Sequence, residues 1–316
     1  MTALAPTQMA VEEWQLRQRL AMPFDSKVEW ARRRIREWHD HYDGMVYVAF
    51  SGGKDSQVLL HLVRSEFPDV PAVFYAEPTF PEVLRVVRET PNCVTLKPKR
   101  KIPEIIERFG YPVISKRVAQ YVHEARSGGP GSSIWRLRTT GVTIRGTTSP
   151  PSRISAKWLK LLEAPFLVGD RCCYVTKKNP AKAYAKASGR VAIIGTLASE
   201  SNQRLLSYKL HGCNGYDLKS PRSTPLAVWT PEDVAAYSTG HGIKHAEVYD
   251  MGYTRTGCMA CGFGCHMRKP NQFELLKDTH PKVWRWAMHD IGWMRVLDWL
   301  EIECGERPLF RERGSE

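Results

Sequence analysis

No stretch of this 316-residue chain reaches the roughly 18 consecutive apolar residues that a membrane-crossing helix needs. No membrane span or membrane partner is therefore expected. The opening MTALAPTQMAVEEWQLRQRL lacks the uninterrupted apolar core of a secretory signal, because Glu12, Glu13 and Arg17 break it. A cytoplasmic location is the expectation. Acidic residues are outnumbered, 33 Asp+Glu against 46 Lys+Arg, for a formal net charge of +13. That balance suits an anionic partner, either a nucleotide or DNA or RNA, although a plain basic surface would give the same count. Internal repeats are absent. The eight cysteines read as metal ligands or catalytic thiols rather than as a disulfide framework. What is present otherwise is ordinary for a soluble globular protein: 42% hydrophobic and 25% charged residues.

Helical spacing runs through residues 10–42, with Trp14, Leu16 and Leu20 before Pro23 and Val28, Trp30, Ile35 and Trp38 after it. The basic stretch ARRRIREWH within it is a solvated face or a nucleic-acid contact. From residue 46 strands and helices alternate. VYVAF, VPAVFYAE (70–77), CVTLK (93–97) and VAIIGT (191–196) read as strands. Helices are expected over Asp55–Glu66, Pro81–Glu89, Pro103–Phe109 and Lys116–Arg126. This alternation predicts an α/β fold with a doubly wound, Rossmann-like parallel sheet, binding its ligand beyond the carboxyl ends of the strands. Three parts are expected: an N-terminal helical segment (1–42), a nucleotide-binding α/β domain (43–225) and a helical C-terminal region (226–316). Residues 127–157, rich in Gly, Ser, Thr, Pro and Arg, read as a mobile insertion, a lid or plain disorder. Trp284, Trp286, Trp293 and Trp299 read as core packing.

Ser51-Gly52-Gly53-Lys54-Asp55-Ser56 stands where the first strand turns into a helix. A helix start leaves backbone N–H groups unpaired and carries a partial positive charge. Glycines let an anion approach that backbone, the serines add hydroxyl donors, and Lys54 adds a full charge. The loop is built to hold phosphate or sulfate. It is not the Walker A pattern, which requires G-x-x-x-x-G-K-S/T. Lys97, Lys99, Arg100 and Lys101 (KPKRK) lie near another strand end, as a phosphate-backbone contact or a solvated loop.

Cys172 and Cys173 are adjacent, and Cys258 and Cys261 form a CxxC. Vicinal cysteines strain tetrahedral geometry around a single zinc, whereas a cubane offers separate iron corners. A [4Fe-4S] cluster on these four thiols is therefore preferred to zinc, and it would draw the CxxC segment against the sheet domain. Cys265 is a fifth possible ligand. Cys93 and Cys213 read as small buried hydrophobes. His211, His241, His245 and His266 lack the spacing of a helical metal site.

SGGKDS resembles the PP-loop of the ATP pyrophosphatase superfamily, which implies cleavage of ATP between the α and β phosphates, with Mg²⁺, or binding of an adenylyl nucleotide. Lys54 and Asp55 then become catalytic candidates. Glu77 falls where that superfamily carries an acidic residue near the nucleotide. PLAVWTPEDVAAYSTGHGIKHAEVYDMGYTRTGCMACG (225–262) and GTLASESNQR (195–204) are similar to segments of phosphoadenosine/adenosine phosphosulfate (PAPS/APS) reductase-like, or CysH-like, proteins. This resemblance covers about 46–77 and 170–265. It implies that CC followed by CxxC carries a [4Fe-4S] cluster and that Gly195, Glu200 and Arg204 face the nucleotide. Arg222 is a further candidate for its anion. Three departures stand out. The loop keeps Lys54, which the reductases usually lack, and Leu197 replaces a reductase arginine. Glu303-Cys304-Gly305 gives only part of the reductase tail ECGLH, so Cys304 is either a nucleophile or a helix-closing residue.

The resemblance implies sulfur chemistry on an adenine nucleotide. One version is reduction of an adenylyl sulfate, with thioredoxin or another thiol as partner. The other is ATP-dependent thiolation of a nucleic acid with a separate sulfur donor. A non-catalytic nucleotide- and nucleic-acid-binding accessory of a mobile element is the remaining alternative.

Overall fold

The computed structural model describes residues 10–76 and 78–305. Glu77 and the residues after 305 lie outside them. Two helices come first, α1 (Glu13–Leu20) and α2 (Phe24–His41). The alternating region follows as β1 (Val46–Phe50), α3 (Lys54–Glu66), β2 (Ala72–Tyr75), α4 (Pro81–Glu89), β3 (Cys93–Leu96) and α5 (Ile102–Phe109). Next are β4 (Val113–Ile114), α6 (Lys116–Gly128), α7 (Ser133–Thr140), α8 (Asn179–Ser188), β5 (Val191–Ile194) and α9 (Asn202–His211). The rest comprises β6 (Asn214–Gly215), β7 (Arg222–Ser223), α10 (Pro231–Gly240), β8 (Gly262–Phe263), α11 (Gln272–Thr279), α12 (Pro281–Arg285) and α13 (Trp293–Trp299).

The main sheet has the order β3-β2-β1-β5-β7-β6. All its pairs are parallel except β6 with β7. β1 sits centrally, with Val48 opposite Ala72 on one side and Val46 opposite Val191 on the other. Chain order runs outward through β2 and β3 in one direction and through β5 and β7 in the other. The β1/β5 boundary is therefore a topological switch point, the place where open α/β sheets leave a ligand crevice. Ser51 and Gly195 are the residues just beyond those two strands.

Two apolar cores hold the chain, and they do not divide at residues 42 and 225. Helix α2 buries Ala31, Ile35 and Trp38 against the sheet core, alongside Val48, Leu59 and Ile193. The Val11 N–H also donates to the Lys209 carbonyl (2.6 Å). The expected separate N-terminal segment is thus, in its described residues, a cover for the sheet. Leu226–Trp229, Val234 and Tyr237 belong to the same core. Conversely, Phe80, Ile105, Val122 and Trp158 pack with Phe273, Trp284 and Trp293 of the C-terminal helices. Segments join whichever core their apolar faces can reach, so sequence order does not set the division.

The stretch 127–157, read from composition as a mobile insertion, carries α7. Its Ser132 side chain caps the helix by accepting from Trp135 N (3.1 Å), and Gly141 (φ 81°) ends it. Arg138 pairs with Glu124 of α6 at 2.6 Å and lies over the Tyr121 ring at 3.7 Å. Ile154 is fully buried. The small polar residues serve as caps and turns there.

WTPEDV proves to be a structural device. Thr230 and Asp233 form a capping box at the start of α10. Asp233 also receives the buried Lys27 ammonium at 2.7 Å, and Trp229 Nε1 donates to the Lys27 carbonyl at 3.3 Å. Removing a cap costs about 1 kcal/mol. Thr230→Ala should lower urea-unfolding stability by about that amount while leaving nucleotide affinity unchanged.

Candidate functional site

The loop 51–56 is held open by its own hydroxyls. Ser51 N–H donates to Ser56 Oγ (3.2 Å), Ser56 Oγ donates to the Gly53 carbonyl (2.9 Å), and Gly53 N–H donates to Ser51 Oγ (3.3 Å). Gly52 has φ +69°, a left-handed value that disfavours any side chain. Gly53 starts α3 with no side-chain cap. A Cβ there would stand 2.6 Å from Thr256 Oγ1. Gly195 packs as closely from β5, where an added Cβ would meet the Asp55 carbonyl at 2.9 Å.

A second ring of contacts comes from far along the chain. Lys54 N–H donates to the Tyr249 hydroxyl at 3.1 Å, and the Lys54 ammonium lies over the Tyr249 ring at 4.1 Å. The Tyr249 hydroxyl in turn meets Thr256 Oγ1 at 3.3 Å. Behind the loop, Gln57 Nε2 donates to the Gly52 carbonyl (2.9 Å), and His245 Nδ1 bonds Gln57 Oε1 (3.2 Å). Burial and then the nearby Lys54 hold His245 below the usual imidazole range. Both effects favour the neutral ring beside the loop.

Cations converge on Asp55. Burial pushes its carboxyl above the ordinary value, opposed by Arg204, Arg255 and Lys54. Arg204 pairs with Glu200, and Arg255 approaches the same carboxylate at 3.9 Å. Burial and then Arg255 lower the Arg204 guanidinium from its usual value. Arg204 also lines a cavity of about 260 Å³ beyond β5 and β7, together with Thr196, Tyr208 and Arg222. Of the loop and basic residues singled out in the sequence, 51–56, Gly195, Glu200, Arg204 and Arg222 therefore gather at the switch point. Glu77 lies outside the described residues. Arg255, Tyr249 and Thr256 were not singled out. Their only signal was membership of the YDMGYTRTG segment, which carries no local mark of a contact 195 positions back.

The CxxC loop is pinned to the sheet. Met259 N–H donates to the Pro78 carbonyl just past β2 (2.8 Å), and Cys261 N–H turns back to the Cys258 carbonyl (3.2 Å). Gln272 Nε2 donates to the carbonyls of Cys258 and Met259 (2.8 and 2.6 Å). β8, next along the chain, pairs in parallel with β4. Cys172 and Cys173 have sulfurs 4.0 Å apart and enter a turn of π-helix, Tyr174–Lys178. The Cys172 thiol is pushed upward by Cys173 first, then by burial, and also by Cys261 and Cys258. Cys265 donates its thiol to the Gly262 carbonyl (2.9 Å), and burial pushes it up to about 12. Among the described residues, no group of three or more His, Cys, Asp or Glu stands ready to hold a single metal ion. Cys172 nevertheless feels its neighbour Cys173 and both thiols of the CxxC loop, and soft sulfur ligands suit iron–sulfur chemistry.

Cys304 lies elsewhere. It is 3% exposed, its thiol faces Met294 Sδ at 3.6 Å, and its carbonyl accepts from Trp284 Nε1 at 2.8 Å. Leu197, at the reductase arginine position, is 2% exposed within the sheet core.

The doubly wound sheet with a glycine loop at its switch point defines a Rossmann-like α/β protein. The chain belongs to the phosphoadenosine phosphosulfate reductase domain family, whose model matches residues 45–113 and 147–262. The adenosine 5′-phosphosulfate reductase of Oceanobacillus iheyensis is 33% identical over 93 residues, 29% of this chain and 37% of that enzyme. An uncharacterized 37.8 kDa protein of Escherichia phage 186 is 36% identical over 85 residues, 26% of this chain and 22% of the phage protein. The matches span less than half the length of these curated relatives. The crystal structure of phosphoadenylyl-sulfate reductase from Candida auris, a phosphate complex, aligns with TM-score 0.44 and 16% identity over 79% of this chain and 97% of that one. Among the described residues no helix is long and apolar enough to cross a membrane.

Proposed function

We propose that the chain is an enzyme that binds an adenine nucleotide at Ser51–Ser56 and carries out sulfur chemistry on it. The observation that carries this reading is the convergence of Lys54, Arg204 and Arg255 at the switch-point loop. Positive groups fixed there stabilise the negative charge that develops on a departing phosphate. Lys54 holds that charge, oriented by the Tyr249 ring. Arg204 and the cavity with Arg222 receive the rest of the nucleotide.

Of the two chemistries, two observations favour ATP-dependent activation over reduction of an adenylyl sulfate. Leu197 offers a buried alkyl group where an anion would need an arginine. Cys304 is enclosed by the C-terminal core, away from the role of a mobile nucleophile. In the activation route a substrate oxygen attacks the α-phosphorus of ATP and pyrophosphate leaves. A separate sulfur donor then displaces AMP, so a carbon–oxygen or phosphorus–oxygen bond is exchanged for a bond to sulfur. Mg²⁺ would accompany ATP, with Asp55 the loop carboxylate available to it.

Cys172, Cys173, Cys258 and Cys261 are the residues that would hold a [4Fe-4S] cluster. When bound, it would tie the CxxC loop to the sheet domain and supply iron–thiolate chemistry.

The direct test is anaerobic incubation with ATP, adenylyl sulfate and its 3′-phosphorylated form in parallel, reading pyrophosphate, AMP and sulfite. With RNA or DNA added to supply the attacking oxygen, pyrophosphate from ATP is the expected product. Thiol-dependent sulfite release would establish the reductase instead. Cys304→Ala should leave turnover intact. A dead but folded enzyme, checked by thermal melting, would restore that thiol as a nucleophile.

A further inference from the structure

A groove of about 1020 Å³ opens at the edge of the sheet, where β3 ends. This volume lies at the upper end for a small-ligand site, and the lining is unlike one. Five of its fifteen lining residues are cations and none is acidic. Lys97, Lys99 and Arg100 come from the chain leaving β3, Arg108 from the end of α5, and Arg171 from the residue before Cys172. All five side chains belong to exposed residues. Among the described residues none of the five forms an ion pair, in contrast to Arg204 and Arg255 at the nucleotide loop.

Aromatic faces accompany this charge. Tyr174 and Tyr184 line the groove. Arg171 and Lys182 lie over the Tyr174 ring at 5.7 and 5.8 Å. Tyr184 is braced edge-on against Tyr47 at 5.1 Å. Uncompensated cations beside braced aromatic rings match the two things a single strand of nucleic acid presents, a repeating phosphate and a stackable base. A protein partner would have to bring a run of carboxylates and would leave the rings without a counterpart. A duplex buries its base faces in its own stack.

We infer that this groove docks a single-stranded segment of nucleic acid, with phosphates on the five cations and bases against Tyr174 and Tyr184. β1, β2 and β3 are parallel, so the groove opens at the same end of the sheet as Ser51, and its Arg171 adjoins the vicinal cysteines. A strand lying there leads toward the proposed reaction site. The binding itself depends only on the groove.

The test is fluorescence anisotropy with labelled 20-nucleotide single-stranded RNA, single-stranded DNA and a duplex of the same sequence, across a salt series. If all five cations meet phosphates, log K against log salt should have a slope of about −3.5 on a single strand. Lys99→Ala/Arg100→Ala should weaken binding by at least about tenfold and flatten the slope to about −2. Tyr174→Ala should weaken binding about five- to a hundredfold with the slope kept. Preference for RNA, for DNA or for neither over the other identifies the source, and each of these agrees with the proposal. Tighter binding of the duplex, no binding of either strand at low salt, or a double variant that binds like the parent would overturn it. ATP titrations of the same preparations keep the two readings apart. The groove variants should retain ATP affinity, whereas Lys54→Ala should weaken ATP binding about ten- to a hundredfold and retain the oligonucleotide.

Discussion

Replacing Lys54 with alanine should weaken ATP binding by about ten- to a hundredfold, measured by isothermal titration calorimetry. The range follows from the roughly 1.5–3 kcal/mol that a charge-assisted hydrogen bond contributes. Lys54 is the cation carried by the loop itself, and its ammonium is already positioned over the Tyr249 ring at 4.1 Å. Little side-chain freedom remains to be lost on binding, so deletion removes nearly the full interaction. Arg204 and Arg255 remain, which is why binding is weakened and not abolished. Arginine at position 54 should restore only part of the affinity, because its planar fork does not reproduce a compact ammonium. An alanine variant with the affinity of the parent would refute the assignment of the loop.

Cys261→Ser should take iron from about four atoms per anaerobically purified chain to almost none, with loss of the brown colour. Cys261 sits on a loop anchored at both ends, by Met259 to Pro78 and by β8 to β4. A serine therefore cannot be bypassed by movement of a neighbouring thiol. Cys265 is the other candidate for rescue, but its thiol is turned to the Gly262 carbonyl. The Cys173 thiol first and burial next push the Cys172 thiol up, and Cys261 and Cys258 add to that push. A cationic centre reverses that sign, so metal loading should also raise the melting temperature of the parent and not of the variant. A colourless parent that holds one zinc would overturn the cluster.

The strand–loop–helix unit at 46–66 was legible because everything that defines it is local: five strand-type residues, two glycines and a helical period. The parallel sheet followed from the alternation, and of the tryptophans read as core packing Trp284 and Trp293 are buried and Trp286 and Trp299 half-buried. Other features had no local signature. β4 and β8 are two residues each and exist only because they pair with each other. Tyr249, Arg255 and Thr256 reach the loop through tertiary folding, and ordinary polar residues in a turn give no notice of that. Residues 127–157 carry a helix that their composition does not announce. Serine and glycine are loop formers by composition, yet here they cap and end α7. Composition gives no sign that segments on either side of residues 42 and 225 share a core, yet Trp38 and Trp229 are buried in the same one.

Tyr249, which accepts the Lys54 N–H at the 51–56 loop, is separated from that residue by 195 positions. A nascent chain can form its first strand and helix early in synthesis, but the contacts around the 51–56 loop stay incomplete until the region around residue 250 has emerged and docked. Fragments that end at the last sheet strand should therefore retain secondary structure and lack the finished loop, and long-range closure of this kind makes for slow maturation.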